Sequence, residues 1–180
     1  IGLAFKISAA PFHMWTPDVY EGAPTAITAF FAIVPKLAGI ALIYRFCLEP
    51  FGEFIDEWRQ IIIFLSIASM YVGAIAAIAQ KNLKRLLAYS SIGHTGYLLI
   101  GLASANSAGI KGLLIYSIIY LLMNVGIFTV ILSLKIKDRY VEYLSDLSGM
   151  SNKKPIFSLC IAIIMFSLAG IPPFAGFFGK

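Results

Sequence analysis

TAITAFFAIVPKLAGIALIYRFC, residues 25–47, is the stretch that decides the fold class. It stays apolar for the ~20 residues that a helix needs to cross ~30 Å of hydrocarbon, and Lys36 is the one formal charge in it before Arg45. Lys36 stands eleven residues from either end, too deep for its side chain to reach the headgroups. Insertion scales put a central lysine at about +3 kcal/mol, so a chain that keeps one turns it toward a polar interior or a water-filled cavity. Pro35, directly before it, removes a backbone N–H and predicts a kink at that depth.

Working outward, five more windows of this kind cover roughly 1–13, 60–80, 85–105, 110–134 and 155–180. They predict an all-α polytopic membrane protein of about six transmembrane helices, read as one transmembrane domain over residues 1–180. The first window opens at Ile1 without an initiator Met or a charged leader, and the last is still apolar at Lys180. The expectation is an internal piece of a longer chain, cut at both ends.

Composition agrees, since 59% hydrophobic and 13% charged residues give more apolar surface than one soluble core could hide. Cys47 and Cys160 each sit alone in an apolar span, which argues against disulfide or metal use. Neither a Gly-x-Gly-x-x-Gly run nor a Walker pattern occurs, so a nucleotide or redox cofactor is expected in other chains. The net charge of +5 arises from basic residues in short loops, where topology explains them better than nucleic acid does.

Loops alternate between two sides of a membrane. One side, with residues 14–24, 81–85 and 135–154, carries Lys81, Lys84, Arg85, Lys135, Lys137, Arg139, Lys153 and Lys154. The other, with 45–59 and 106–111, carries Arg45, Arg59 and Lys111. This bias assigns the first side to the cytoplasm, or to the matrix of a mitochondrion. The 135–154 loop, in which Tyr140, Val141, Tyr143, Leu144 and Leu147 alternate with charges, is expected to lie along the interface as a short amphipathic segment.

Lys6, Lys36 and Lys180 remain, each inside an apolar window. Removing an ammonium from water disfavours its charged form, so a lysine held in the membrane can take up and release a proton as its surroundings change. The bland alternative is a static interhelical anchor. Lys6 is followed by Pro11, Pro17, Gly22 and Pro24, and Lys180 follows Gly170, Pro172, Pro173 and Gly176. Both contexts predict a broken helix, the device that transporters use at the midplane. Ser90, His94 and Tyr97 recur at helical spacing, as do Tyr116, Tyr120 and Asn124. The second stripe reads as glue between helices. His94 reads as a proton relay or as a neutral ring bonded to a hydroxyl. Lys84 and Arg85 are explained by topology alone.

Three runs carry a resemblance. Phe5-Lys6 with Pro11-Phe12-His13-Met14-Trp15-Thr16-Pro17-Asp18-Val19-Tyr20-Glu21-Gly22-Ala23-Pro24-Thr25 is the first. The second is Lys84-Arg85-Leu86-Leu87-Ala88-Tyr89-Ser90-Ser91-Ile92 with His94, Gly96 and Tyr97, and the third is Ser167-Leu168-Ala169-Gly170-Ile171-Pro172-Pro173 through Gly179-Lys180. Together they resemble the proton-conducting membrane-transporter family, in particular the antiporter-like subunits of NADH:quinone oxidoreductase (respiratory complex I).

The resemblance implies a segment from the seventh to the twelfth helix of a fourteen-helix subunit built from inverted repeats, each with a broken helix. The family's lysines of helices seven, eight and twelve fall on Lys6, Lys36 and Lys180. A glutamate on helix five, the family's partner of the first lysine, lies outside this sequence. Lysine rather than glutamate at position 180 favours one member of the family over its siblings. The implied mechanism has Lys6 as switch, Lys36 as proton acceptor from the cytoplasmic side, His94 with ordered water as relay and Lys180 as the releasing group. NADH, FMN, iron–sulfur clusters and quinone would belong to partner subunits, with no cofactor in this chain. The implied partners are other membrane-arm subunits of complex I and the lipid bilayer of a bacterial inner membrane, or else of the mitochondrial inner membrane. The rival readings are a subunit of a multisubunit sodium–proton antiporter without redox chemistry and a structural membrane scaffold.

Overall fold

A computed structural model describes residues 1–136 and 139–179, with the backbone alone for Lys135, Ile136 and Arg139. Four helices are long and apolar enough to cross a membrane: α3 (Thr25–Leu48), α4 (Ile55–Ile78), α5 (Leu83–Ala103) and α6 (Ser107–Ser133). Before them stand α1 (Gly2–Lys6) and α2 (Trp15–Gly22). After them come the short antiparallel strands β1 (Lys135–Ile136) and β2 (Arg139–Tyr140), then α7 (Met150–Lys153), α8 (Pro155–Ala169) and α9 (Ala175–Gly179).

The first and last apolar windows are the broken helices expected from their Pro and Gly residues, helix pieces joined by irregular chain, so the six expected spans resolve into four long helices and these broken ones. One expectation changes: residues 14–24, expected as a loop, contain α2, with Thr16, Pro17 and Tyr20 buried. The 135–154 segment, expected as a short amphipathic stretch, is built of several short elements among its described residues. It holds the strand pair, a 3-10 turn over Leu144–Leu147 and α7.

The outer surface has the inverted pattern of a lipid-facing protein. Phe30, Val34 and Phe46 on α3, Phe64, Ile67 and Tyr71 on α4, and Ile115, Ile118 and Leu122 on α6 are exposed. The most enclosed of the four long helices, α5, is also the least hydropathic, because its hydroxyls, His94 and Gly96 face protein rather than lipid. Glycines let α4 and α5 approach closely: a Cβ on Gly73 would stand 2.5 Å from the Gly93 nitrogen, and one on Gly96 would stand 2.7 Å from the Ser66 carbonyl oxygen.

The break after α1 is stabilised by its neighbours. Irregular backbone at membrane depth must find partners inside the protein. The Ala10 N–H donates to Ser69 Oγ of α4 (2.8 Å), and Thr95 Oγ1 of α5 donates to the Ile7 carbonyl (3.1 Å). Ser8 takes a left-handed conformation (φ +62°), and its hydroxyl accepts from Thr16 Oγ1 at 2.6 Å. At the other end Gly170 (φ +81°) caps α8, and the N–H groups of both Gly170 and Ile171 return to the Phe166 carbonyl.

One end of the bundle gathers three segments assigned above to the same side of the membrane. Arg85 Nη1 donates to Asp18 Oδ1 (3.0 Å) and Glu21 Oε2 (2.8 Å) of α2. The Leu83 N–H donates to the Glu142 carbonyl and the Leu144 N–H to the Lys81 carbonyl. Lys84, 5% exposed, donates from Nζ to the Ala23 carbonyl at 3.0 Å and lies 4.0 Å from Glu142 Oε1. Topology therefore does not exhaust Lys84, whose ammonium ties the α2–α3 junction to α5. The Arg85 pairs are half-exposed, and such pairs contribute under ~1 kcal/mol and are screened by salt. Arg85→Gln is thus expected to lower the thermal midpoint of the purified protein by a few degrees at most, and less in high salt. A large shift that salt leaves unchanged would contradict this.

Candidate functional site

Lys36 lies in the middle of α3, 2% exposed. Its Nζ donates to Ser91 Oγ of α5 at 2.6 Å, and Ser91 Oγ in turn donates to the Ala88 carbonyl at 2.7 Å. The ring of Tyr20 on α2 sits 5.9 Å from Nζ, a distance at which an aromatic face stabilises a cation. Sequence reasoning placed Ser90 in the polar stripe. The lysine's partner is the next residue, Ser91, while Ser90 and His94 line a cleft of about 280 Å³ between α4, α5 and α8.

His94 is 4% exposed, and its Nδ1 shares a hydrogen bond with the Tyr116 hydroxyl of α6. The rings of Tyr120, Tyr116 and Tyr97 surround it, with centroids 5.4, 5.9 and 6.4 Å away. Tyr120 donates its hydroxyl to the Ala32 carbonyl of α3, and Asn124 Nδ2 donates to the Tyr120 carbonyl. These bonds tie α3, α5 and α6 together, which is the glue expected of the second stripe. Ser91 and His94 stand three residues apart on α5, so the lysine and the histidine share one face of that helix.

The remaining candidates lie at the two breaks. Lys6 is the last residue of α1 and is exposed; its aliphatic stem passes 3.9 Å from where a Cβ on Gly39 would stand, three residues along α3 from Lys36. Lys180 lies outside the described residues. Gly179 before it is close enough to Tyr116 that a Cβ there would collide with the ring, so α9 ends beside the His94–Tyr116 pair. No group of three His, Cys, Asp or Glu side chains that could hold a metal occurs among the described residues. The reading from sequence missed Ser91, Tyr20 and Lys84. Ser91 and Thr95 at helical spacing gave a signal of equal strength to the stripe that was chosen, whereas Tyr20 in a polar run gave none.

Broken helix pieces packed on four long apolar helices, around a buried lysine held on a hydroxyl, define a polytopic α-helical membrane protein. The family model described as NADH:quinone oxidoreductase/Mrp antiporter, transmembrane, matches residues 1–180, and the chain belongs to that family. It is 61% identical over 180 residues to NADH-quinone oxidoreductase subunit N of Pelagibacter ubique, covering 100% of this chain and 38% of that protein. To the subunit N of Rhodospirillum rubrum it is 58% identical over 179 residues, covering 99% and 37%. The chain therefore spans little more than a third of these relatives. Among solved structures, respiratory complex I from Thermus thermophilus with bound aureothin matches with a TM-score of 0.82 at 40% identity, over 99% of this chain and 38% of that one. The Mrp complex of a Dietzia species matches with a TM-score of 0.89 at 26% identity, over 98% and 33%.

Proposed function

We propose that this chain forms the lysine-bearing part of a proton-translocating membrane-arm subunit of NADH:quinone oxidoreductase, in a bacterial inner membrane. The observation that carries the reading is Lys36, an amine enclosed at mid-span with a hydroxyl partner and an aromatic face but no acidic partner within ion-pair distance among the described residues. A lysine fixed as a structural ion would be paired, whereas an unpaired one can lose its proton and regain it. His94, bonded to Tyr116 beside the end of α9, supplies a group able to pass protons toward position 180. Lys6 acts as the switch, its stem lying near Lys36 on α3. Lys180 is the releasing group. Moving one charge against 100 mV costs about 2.3 kcal/mol, so the work is supplied by redox chemistry in partner subunits that carry FMN, iron–sulfur clusters and quinone.

The identities of 55–61% to subunit N proteins favour this reading over a sodium–proton antiporter, for which the Mrp likeness stands at 26%. The test is to purify the full-length protein from its own membrane through a tag. It should bring down flavin and iron–sulfur subunits, and vesicles containing the assembly should take up protons when given NADH, with or without sodium. Recovery without any redox subunit, with sodium-dependent proton exchange, would replace this function by the antiporter.

A further inference from the structure

We propose that Tyr20 is a positioning residue for the protonation of Lys36, its hydroxyl holding one ordered water against Nζ; this rests on the proton-translocating reading above. The Ser91 hydroxyl proton is committed to the Ala88 carbonyl at 2.7 Å, so toward Lys36 Ser91 offers only a lone pair, which Nζ fills by donating at 2.6 Å. Ser91 can therefore hold the amine but cannot protonate it without giving up the Ala88 bond. When Lys36 is neutral its own lone pair must be met from another direction.

Tyr20 is a neighbour of Nζ with hydrogen-bonding capacity to spare. It is fully buried, its ring is 5.9 Å from Nζ, and its hydroxyl has no hydrogen-bond partner among the described residues, although it lies close to Ser91 without the geometry of a bond. A buried hydroxyl without a partner is destabilising, and a lysine amine has further hydrogen-bonding capacity beyond the single bond to Ser91. One water bonded to both relieves the two deficits together. The position of Tyr20 is itself fixed from two sides: its carbonyl accepts from Thr28 Oγ1 of α3 at 3.1 Å, and the adjacent Glu21 is held by Arg85 at 2.8 Å. The backbone of Tyr20 is thus anchored toward the end of the bundle that carries Arg85, with its side chain reaching inward to Lys36.

In the transfer step the Tyr20 O–H donates to one lone pair of the water. The water gives one proton to the lone pair of neutral Nζ and receives a replacement at its second lone pair from a hydronium ion arriving along water from the entry side. One water O–H bond breaks as one N–H bond forms, and one O–H bond of the hydronium breaks as the water's is remade, so the amine becomes ammonium, the hydronium becomes water and Tyr20 stays neutral throughout.

The experiment uses the assembled complex with the full-length subunit. A map of the unmodified complex at water resolution should show an oxygen within ~3.2 Å of both Tyr20 Oη and Lys36 Nζ. Tyr20→Phe, which keeps the ring, should lose that oxygen, lower protons translocated per electron at least threefold, and enlarge the solvent deuterium isotope effect on proton uptake. A static role of the ring would move none of these. Absence of the oxygen from the unmodified map, or an unchanged proton-to-electron ratio in assembled Tyr20→Phe, overturns the proposal. If Tyr20→Phe fails to assemble, the unmodified map decides alone. Lys36→Met serves as the reference: normal pumping by that variant would instead remove the functional reading beneath the inference.

Discussion

Lys36→Met in the assembled complex is expected to lower proton translocation per electron by at least tenfold, measured by quenching of a pH-sensitive dye in vesicles given NADH. Methionine has nearly the volume of lysine and no charge, so the packing of α3 against α5 is kept while the bond to Ser91 is lost and the cost of holding an amine out of water is removed. What disappears is the amine that gains and loses the proton. Lys36→Arg separates this role from anchoring. Arginine still donates to Ser91 Oγ but does not become neutral in a protein, so a proton acceptor fails with arginine while a static anchor is retained. Full pumping by either variant, with normal assembly, would show that Lys36 is only a tie between helices.

Gly73→Val should have the largest effect on stability. A Cβ at that position would meet the Gly93 nitrogen at 2.5 Å, the Gly93 Cα at 2.7 Å and the Tyr89 carbonyl oxygen at 2.9 Å, all backbone that no rotamer change can move. Overpacking by a methylene costs ~1–3 kcal/mol, and valine adds three heavy atoms at a contact that can relax only by separating α4 from α5. That separation would also strain the Ser66 Oγ bond to the Gly96 carbonyl, now 2.7 Å, and displace the helix carrying Ser91 and His94. The amount of assembled protein in membranes should fall severalfold, with a thermal midpoint lower by many degrees. Gly112→Ala is the control, because nothing lies within 4 Å of a Cβ there, and it should behave as the parent. Equal midpoints for Gly73→Val and Gly112→Ala would mean that the two helices are not in the contact described.

The order of the long helices was legible because lipid imposes length and apolarity together. Residues 25–47 and 110–134 fall almost on α3 and α6. Windows 1–13 and 155–180 were legible as apolar and, from their prolines and glycines, as broken, but not in how the breaks are held. Ser8 turning to positive φ, and the carbonyl of Ile7 finding Thr95 nearly ninety positions away, depend on partners that a local window cannot contain. The same holds for the described part of 135–154, where Val141 is buried and the backbone of Glu142 and Tyr143 pairs with the start of α5, a partner about sixty positions away.

At the site, Lys36 announced itself because one charge in a bilayer is costly wherever its neighbours lie. His94 did so through its unusual depth. Ser91 and Ser90 were equivalent on that basis, since helical spacing gives a face only to within a residue and the lysine's reach chose between them. Tyr20 was hidden among the charges of its run.

By itself, then, the sequence determined that this is a helical membrane protein and that an amine sits at the middle of a long apolar helix, for both follow from the cost of moving single residues into hydrocarbon. Tertiary structure alone decided what that amine touches. Hydrogen-bond partners are set by the packing of α2, α5 and α6 around α3, and such packing is a property of pairs of segments far apart in the chain.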